Sequence, residues 1–254
     1  MQKFGVDISK WQSGFDFNKA LQEGVEFVIL RGAYAMSKDK CFENFYNQCK
    51  LLNIPVGVYH YTMAETVDEA RDEANFMLNI LKGKQFEYPI WLDVEDKVQK
   101  TLGKDLLTQI ITTYLDILEG AGYYVGIYST YLYLRDYAHI DMLDKYDKWI
   151  AQWSTKNTCK KSYGMWQFGG ETNKIRTNKV AGVTCDQNYA YKDYPAIIKN
   201  AGLNGFHKAG TKTVDELARE VIYGKWGTGI NRKNRLEQAG YNYREVQNRV
   251  NQLI

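Results

Sequence analysis

The chain is poor in the residues that build metal centres and disulfide scaffolds. Its 254 residues include four cysteines and three histidines. The cysteines stand at 41, 49, 159 and 185 with no CxxC pair, and the histidines do not cluster, so a zinc site has no ligand set and no metal or other cofactor is expected. Cys41 and Cys49 fall in one predicted helix eight residues apart, about 12 Å of rise, too far for a bridge. Free thiols are expected. Long apolar runs are missing as well: none approaches the roughly 20 residues that a bilayer span requires, which argues against membrane insertion. Nor is one sign of charge in large excess. The net charge is +3, and residues 203–254 hold nine Lys/Arg against five Asp/Glu while residues 1–202 hold 24 against 25. So mild a basic tail, interleaved with acids, reads as a solvated helical surface and makes no case for a nucleic-acid partner. Met1 to Asp7 enter a strand pattern at once, without the apolar core of a signal peptide, so synthesis in the cytoplasm without Sec export is expected.

What is present is ordinary globular composition, 44% hydrophobic and 25% charged, with 20 tyrosines. The length suits one large domain with a small appendage, and an α/β barrel takes about this many residues. From residue 4 to about 130, apolar or aromatic strand patterns at 4–8, 26–31, 55–60, 89–94 and 124–128 alternate with helical ones at 17–23, 41–53, 66–82 and 104–120. Ala70, Ala74, Met77, Leu78 and Leu81 give the clearest helical stripe. Gly57 and Gly126 inside strands point to close backbone approach or a ligand-facing gap. After Tyr131 helical periodicity fades, and strands at 148–153, 163–168 and 184–190 are expected to close the barrel alone before a helix at 193–201.

Residues 203–212 read as a linker. Beyond it Thr213 with Glu216 forms a capping box, Leu217, Val221 and Ile222 give that helix an apolar face, and Gly224 ends it. Gly227 and Gly229 flank a turn around Trp226. A second helix is expected near 232–239, ending at Gly240, and Asn242 with Glu245 caps a third. Some 40 residues make a domain of marginal size, one that leans on the barrel or pairs with another copy.

Paired acids stand in one strand-like stretch, Pro89-Ile90-Trp91-Leu92-Asp93-Val94-Glu95-Asp96. Strand periodicity puts Asp93 and Glu95 on the face opposite Ile90, Leu92 and Val94, with α-carbons roughly 6.5 Å apart. Charges that close repel, so one carboxyl titrates high. A proton donor beside an anion is what glycoside hydrolysis requires; solvated acids at a strand end are the plainer alternative. Barrel sites gather at the C-terminal ends of strands, so Asp7, Tyr34, Tyr59, Tyr61, Asp93, Glu95, Tyr128, Trp153 and Asp186 are expected on one rim. Arg31 and Lys38 could meet substrate carboxylates, but the plainer reading makes them surface cations.

Val6-Asp7-Ile8-Ser9, Gly57-Val58-Tyr59-His60-Tyr61, Trp91-Leu92-Asp93-Val94-Glu95, Gly126-Ile127-Tyr128-Ser129, Gln152-Trp153 and Asp186-Gln187-Asn188 resemble, in order, the motifs of glycoside hydrolase family 25, the Chalaropsis-type lysozymes. The resemblance spans roughly residues 3–197. It implies an α/β fold, a modified (β/α) barrel of eight strands with an incomplete set of helices, in a catalytic domain over 1–202. It implies a peptidoglycan hydrolase cleaving the β-1,4 bond after N-acetylmuramic acid, with bacterial peptidoglycan as partner. Glu95 matches the family's general acid/base and Asp93 its partner, while Asp7 and Asp186 match two further acids. Tyr34, Tyr59, Tyr61, Tyr128 and Trp153 would form the sugar-binding rim. Residues 213–254, with Gly224-Lys225-Trp226-Gly227 and Val246-Gln247-Asn248-Arg249, are similar to the short cell-wall-binding repeat of phage lysozymes. That similarity puts wall binding on Trp226, Gly227, Gly229 and Arg232, in a three-helix domain that would self-associate into a homodimer. Thr228 departs from the Asn common there. A phage endolysin acting on the wall after release from the host cytoplasm is the expected biology. A catalytically silent glycan-binding protein and a chitinase-like barrel are the alternatives; the first need not keep all four acids, and the second lacks its DxxDxDxE run here.

Overall fold

The computed structural model describes residues 2–208, 211–239 and 241–254. Met1, the middle of the expected linker at 209–210 and the expected helix stop at Gly240 lie outside the described residues. The chain forms two compact units, one ending at Phe206 and one from His207 to Ile254.

Eight strands close the first unit into a barrel: β1 (Lys3–Ile8), β2 (Phe27–Tyr34), β3 (Val56–Tyr61), β4 (Ile90–Asp93), β5 (Val125–Ser129), β6 (Asp147–Ala151), β7 (Met165–Gly169) and β8 (Asp186–Ala190). Neighbours from β1 to β7 pair in parallel. Only β8 is reversed, antiparallel to both β7 and β1. A parallel neighbour needs a crossover, usually helical. Between β7 and β8 the chain instead makes a small antiparallel ribbon, Lys179–Val180 with Val183–Thr184, and comes back down from the same rim. Asp186 therefore reaches that rim by opening its strand, whereas the other sites lie at strand ends as expected.

Six helices accompany these strands: α1 (Phe17–Gln22), α2 (Phe42–Leu51), α3 (Val67–Leu81), α4 (Lys104–Gly120), α5 (Tyr131–Tyr137) and α6 (Tyr194–Ala201). The set is incomplete because the β6–β7 and β7–β8 connections contain no helix. α3 starts on a capping box between Thr66 and Glu69 and buries Ala70, Ala74, Met77 and Leu81. α5 corrects the expectation of strands alone after Tyr131: Thr130 caps it by accepting from the Tyr133 N–H. Seven residues are too few to show a 3.6-residue period.

The strands are buried on both faces, which is why β2 reads as a nearly unbroken apolar run. Val28, Leu30, Ile90, Leu92 and Ile127 pack outward against the helices. Phe27, Ile29, Trp91, Tyr128, Trp149 and Met165 fill the interior. Bulky side chains fit there because glycine stands beside them on the neighbouring strand: a Cβ on Gly126 would lie 2.3 Å from Trp91 Cζ3, and one on Gly57 2.7 Å from Ile29 Cδ1. The first unit also runs past the expected boundary at 202. Asn204 is buried, donating from Nδ2 to the carbonyls of Phe86 and Tyr88 and accepting the Tyr124 N–H, so residues 203–206 belong to this unit and not to a linker. All four cysteines are free. No helix among the described residues is long and apolar enough to cross a membrane.

The second unit packs α7 (Val214–Ile222), α8 (Gly229–Gln238) and α9 (Tyr243–Leu253) around Leu217, Ala218, Val221, Leu236, Val246 and Val250. The Thr213–Glu216 capping box opens α7, and Asn242 accepts from the N–H groups of Arg244 and Glu245 at the start of α9. α8 begins at Gly229, three residues before the expected position.

Candidate active site

Four acids from three regions of the chain line one hollow of about 190 Å³ in the barrel mouth, together with Tyr59, Tyr61, Tyr128, Trp149 and Gln167. Register explains the meeting. Asp7 of β1 pairs with Asp186 of β8, and Tyr61, Asp93 and Tyr128 lie level on β3, β4 and β5.

Glu95 stands two residues past β4 but is held by its neighbours. The Val94 N–H donates to Tyr128 O (3.0 Å) and Val94 O accepts from Ser129 Oγ (2.6 Å). On the other side, Asp96 Oδ2 accepts from Tyr61 OH (2.9 Å) and its carbonyl accepts from Tyr133 OH (2.7 Å). Short, well-partnered bonds on both sides leave Glu95 little freedom to leave the mouth. Tyr133 belongs to α5, the helix with no signal in the sequence.

Asp7 is buried and cradled by two amides. Its Oδ2 accepts from Asn188 Nδ2 (2.7 Å) and Gln167 Nε2 (3.1 Å). Each amide is oriented by donors at its other end: Trp149 Nε1 donates to Asn188 Oδ1 (2.8 Å), and Trp153 Nε1 and Tyr128 OH donate to Gln167 Oε1 (3.0 Å each). An indole N–H only donates, so the amide oxygens must face the rings and the NH₂ groups must face Asp7.

Lost hydration is the first cause of a raised pKa at every acid here. Asp7 is pushed up to about 6, its two amide donors opposing the burial. Asp186 has no such donors and goes higher, to about 8, with the charges of Asp7 and Glu95 adding to its burial. Asp93 is raised well above the usual carboxylate range by burial, then by Glu95 and Asp7, with Arg31 opposing. Its Oδ1 is buried without a hydrogen-bond partner. Glu95 opens to solvent as a residue, yet its carboxyl lines the recess and is raised by desolvation first and by Asp7 and Asp96 next. Four carboxyls this close cannot all ionise, so the hollow carries protons near neutrality.

Two of the expected rim residues stand apart from the hollow. Tyr34 stacks on Tyr61 with ring centroids 5.0 Å apart, and Trp153 reaches the acids through Gln167. Arg31 corrects its reading as a surface cation: it is 9% exposed, lines the hollow and pairs with Asp39 through Nε and Nη2, each 2.8 Å from Oδ2. Lys38 is exposed and pairs with Glu43. Gln167, Asn188 and Trp149 were given no role from the sequence. The available signal was polarity at inward positions of strands otherwise facing an apolar interior. Gly170 was missed too; a Cβ there would meet Asp186 Oδ1 at 1.9 Å and Trp153 Cζ2 at 2.6 Å.

In the second unit, a recess of about 470 Å³ is lined by Lys212, Glu220, Lys225, Trp226, Arg235 and Ala239. Of the four residues expected to bind wall, Trp226 alone lines it, donating Nε1 to Glu220 (3.0 Å). Gly227 and Gly229 take positive φ, +75° and +54°. Arg232 braces that turn, donating to Gly227 O (3.1 Å) and Gln247 Oε1 (3.0 Å).

The fold and the site define the class as a closed eight-strand α/β barrel with acids converging at its mouth. Sequence comparison gives the family: residues 6–176 match Glycosyl hydrolases family 25, and the chain belongs to it. Residues 215–254 match the CW_7 repeat. The chain is similar to an autolytic lysozyme of Clostridium acetobutylicum, 26% identical over 67% of this chain and 52% of that protein, so it spans about half that relative's length. It is also similar to the lysozyme of Streptococcus phage Cp-7, 26% identical over 98% of this chain and 69% of that one. Among solved structures, the CTP1L endolysin shares the fold, with a TM-score of 0.67 and 22% identity over 78% of this chain and 70% of that chain.

Proposed function

We propose that the chain hydrolyses the β-1,4 bond between N-acetylmuramic acid and N-acetylglucosamine in bacterial peptidoglycan, by a retaining, substrate-assisted route. The observation that carries the reading is the meeting of four carboxyls in one sugar-sized hollow, Glu95 open to solvent beside a buried Asp93. Glu95, whose pKa is raised by desolvation first and by Asp7 and Asp96 next, gives its proton to the leaving oxygen. The carbonyl of the substrate's 2-acetamido group attacks the anomeric carbon, forming an oxazolinium ion. Asp93 Oδ1, which lacks a partner, accepts the acetamido N–H. That donation and the growing positive charge favour its anion, so Asp93 gives up its proton to solvent at the mouth as substrate binds, and the carboxylate stabilises the ion until Glu95, now a base, activates water. Asp7 and Asp186 tune the field around this pair. Tyr34, Tyr59, Tyr61, Tyr128 and Trp153 provide stacking faces and hydrogen bonds for sugars.

The second unit, with Trp226, Gly227, Gly229 and Arg232, would hold the enzyme on the wall. A phage endolysin is the favoured biology, supported by similarity to the phage Cp-7 lysozyme over nearly the whole chain. Mass spectrometry of purified peptidoglycan after incubation tests the reaction. New reducing ends on N-acetylmuramic acid are expected; ends on N-acetylglucosamine, or none, overturn the proposal.

A further inference from the structure

Beside the acid hollow lies a second one of about 350 Å³, and Trp11 and Arg31 line both. Its charge is opposite: Lys10, Arg31, Lys38 and Lys40 surround it, against one carboxylate, Asp39. That carboxylate is already spent. Asp39 is buried, with Oδ2 accepting from Arg31 and from the Lys10 N–H (3.1 Å) and Oδ1 accepting from the Cys41 N–H (2.9 Å). It thereby ties the segment after β1, the end of β2 and the start of α2 into one frame, and turns a buried guanidinium toward the cavity. Nη1 of Arg31 has no protein partner among the described residues. Neither Lys10 nor Lys40 has an ion-pair partner among them, and Trp11, 75% exposed, forms an apolar wall.

We infer that this second hollow is a subsite for the acidic stem peptide on the muramic acid lactyl group, with Arg31 as its fixed anchor and Lys10 and Lys40 as mobile ones. The inference rests on the muramidase reading and sharpens its substrate class, from a glycan strand to one bearing peptide carboxylates. The geometry fits the chemistry. A glycan in the acid hollow places its substituents at the shared wall, and a guanidinium set by Asp39 binds a carboxylate with little ordering cost. Exposed lysines add attraction that salt weakens.

The test compares soluble glycan strands carrying stem peptides with the same strands stripped by an amidase, which keep only the lactyl carboxylate. The full-length Lys10→Ala/Lys40→Ala variant is expected to lower the ratio of kcat/KM on peptide-bearing to peptide-free strands about fivefold, from the worth of two exposed charge contacts, and the loss should shrink in high salt. A ratio equal to wild type overturns the subsite, and so does an equal fall on both strands, which would mean that only the lactyl carboxylate is read. A wild-type chain that cleaves neither strand overturns the muramidase reading as well, so the two failures are distinct.

Discussion

Replacing Asp186 with Asn should make the protein more stable at neutral pH while impairing cleavage. In the unfolded chain this carboxyl ionises near 3.8; in the folded barrel its pKa is raised to about 8, by burial first and then by Asp7 and Glu95. Between those values the folded state binds the extra proton, so stability falls as pH rises through that window. At pH 7 about three pH units lie above the unfolded value, a ceiling of about 4 kcal/mol at 1.4 kcal/mol per unit. Asp186 keeps partial exposure and shares its protonation with Asp7, so about half of that, ~2 kcal/mol, is the expected gain on removing the charge. For a unit of this size it corresponds to a rise in Tm of about 4–8 °C. Near-UV circular dichroism, which reports the buried Trp91 and Trp149 of the barrel, should show that rise at pH 7 and only a small part of it at pH 4, where the wild-type acid is protonated in the fold and about two-fifths protonated in the unfolded chain. A variant less stable than wild type at pH 7, or one stabilised equally at both pH values, would refute the claim that the acid hollow is held at a cost to the fold.

Glu95→Gln should retain the fold and wall binding but lose cleavage by about 10²–10⁴-fold in a turbidity assay, the usual range for a general acid. Tyr61→Phe, which removes the hydroxyl held by Asp96, should weaken activity far less. Gly126→Ala drives a methyl into the Trp91 ring, so chemical denaturation should show a loss of about 1–3 kcal/mol or more. Sedimentation should show the full chain self-associating at micromolar concentration, with dissociation when residues 207–254 are removed; a strict monomer would end the homodimer proposal.

Much of the barrel was legible because its strands and helices carry different periods. β4 could be placed from the alternation of Ile90, Leu92 and Val94 with Trp91 and Asp93, and α3 from its Thr66–Glu69 cap and apolar stripe. Strand direction was not legible. A buried antiparallel strand and a buried parallel one have the same composition, and the reversal of β8 depends on the ribbon before it. Arg31 was misread because an isolated cation is usually solvated; its burial depends on Asp39, eight residues away and across a turn. The site's acids could be found singly, but the two amides that hold Asp7 could not, since their role exists only once β8 pairs with β1 and β7 pairs with β8.

Asp7 and Asp186 occupy paired positions on antiparallel strands, yet only Asp7 has amide donors fixed by indole N–H groups. The donors favour its ionised form, so of the pair Asp7 loses its proton first and Asp186 retains one across neutral pH. The barrel thus separates two chemically equal acids by what faces them from β6, β7 and β8. An arrangement of this kind gives the hollow one settled anion beside proton-bearing neighbours, and the same asymmetry predicts that Asn188→Leu, which removes the shorter donor, should raise the pKa of Asp7 toward that of Asp186. The acidic limb of the pH–activity profile would then move upward by about one unit, the worth of one charge-assisted bond. An unmoved limb in a folded variant would show that Asp7 does not set it.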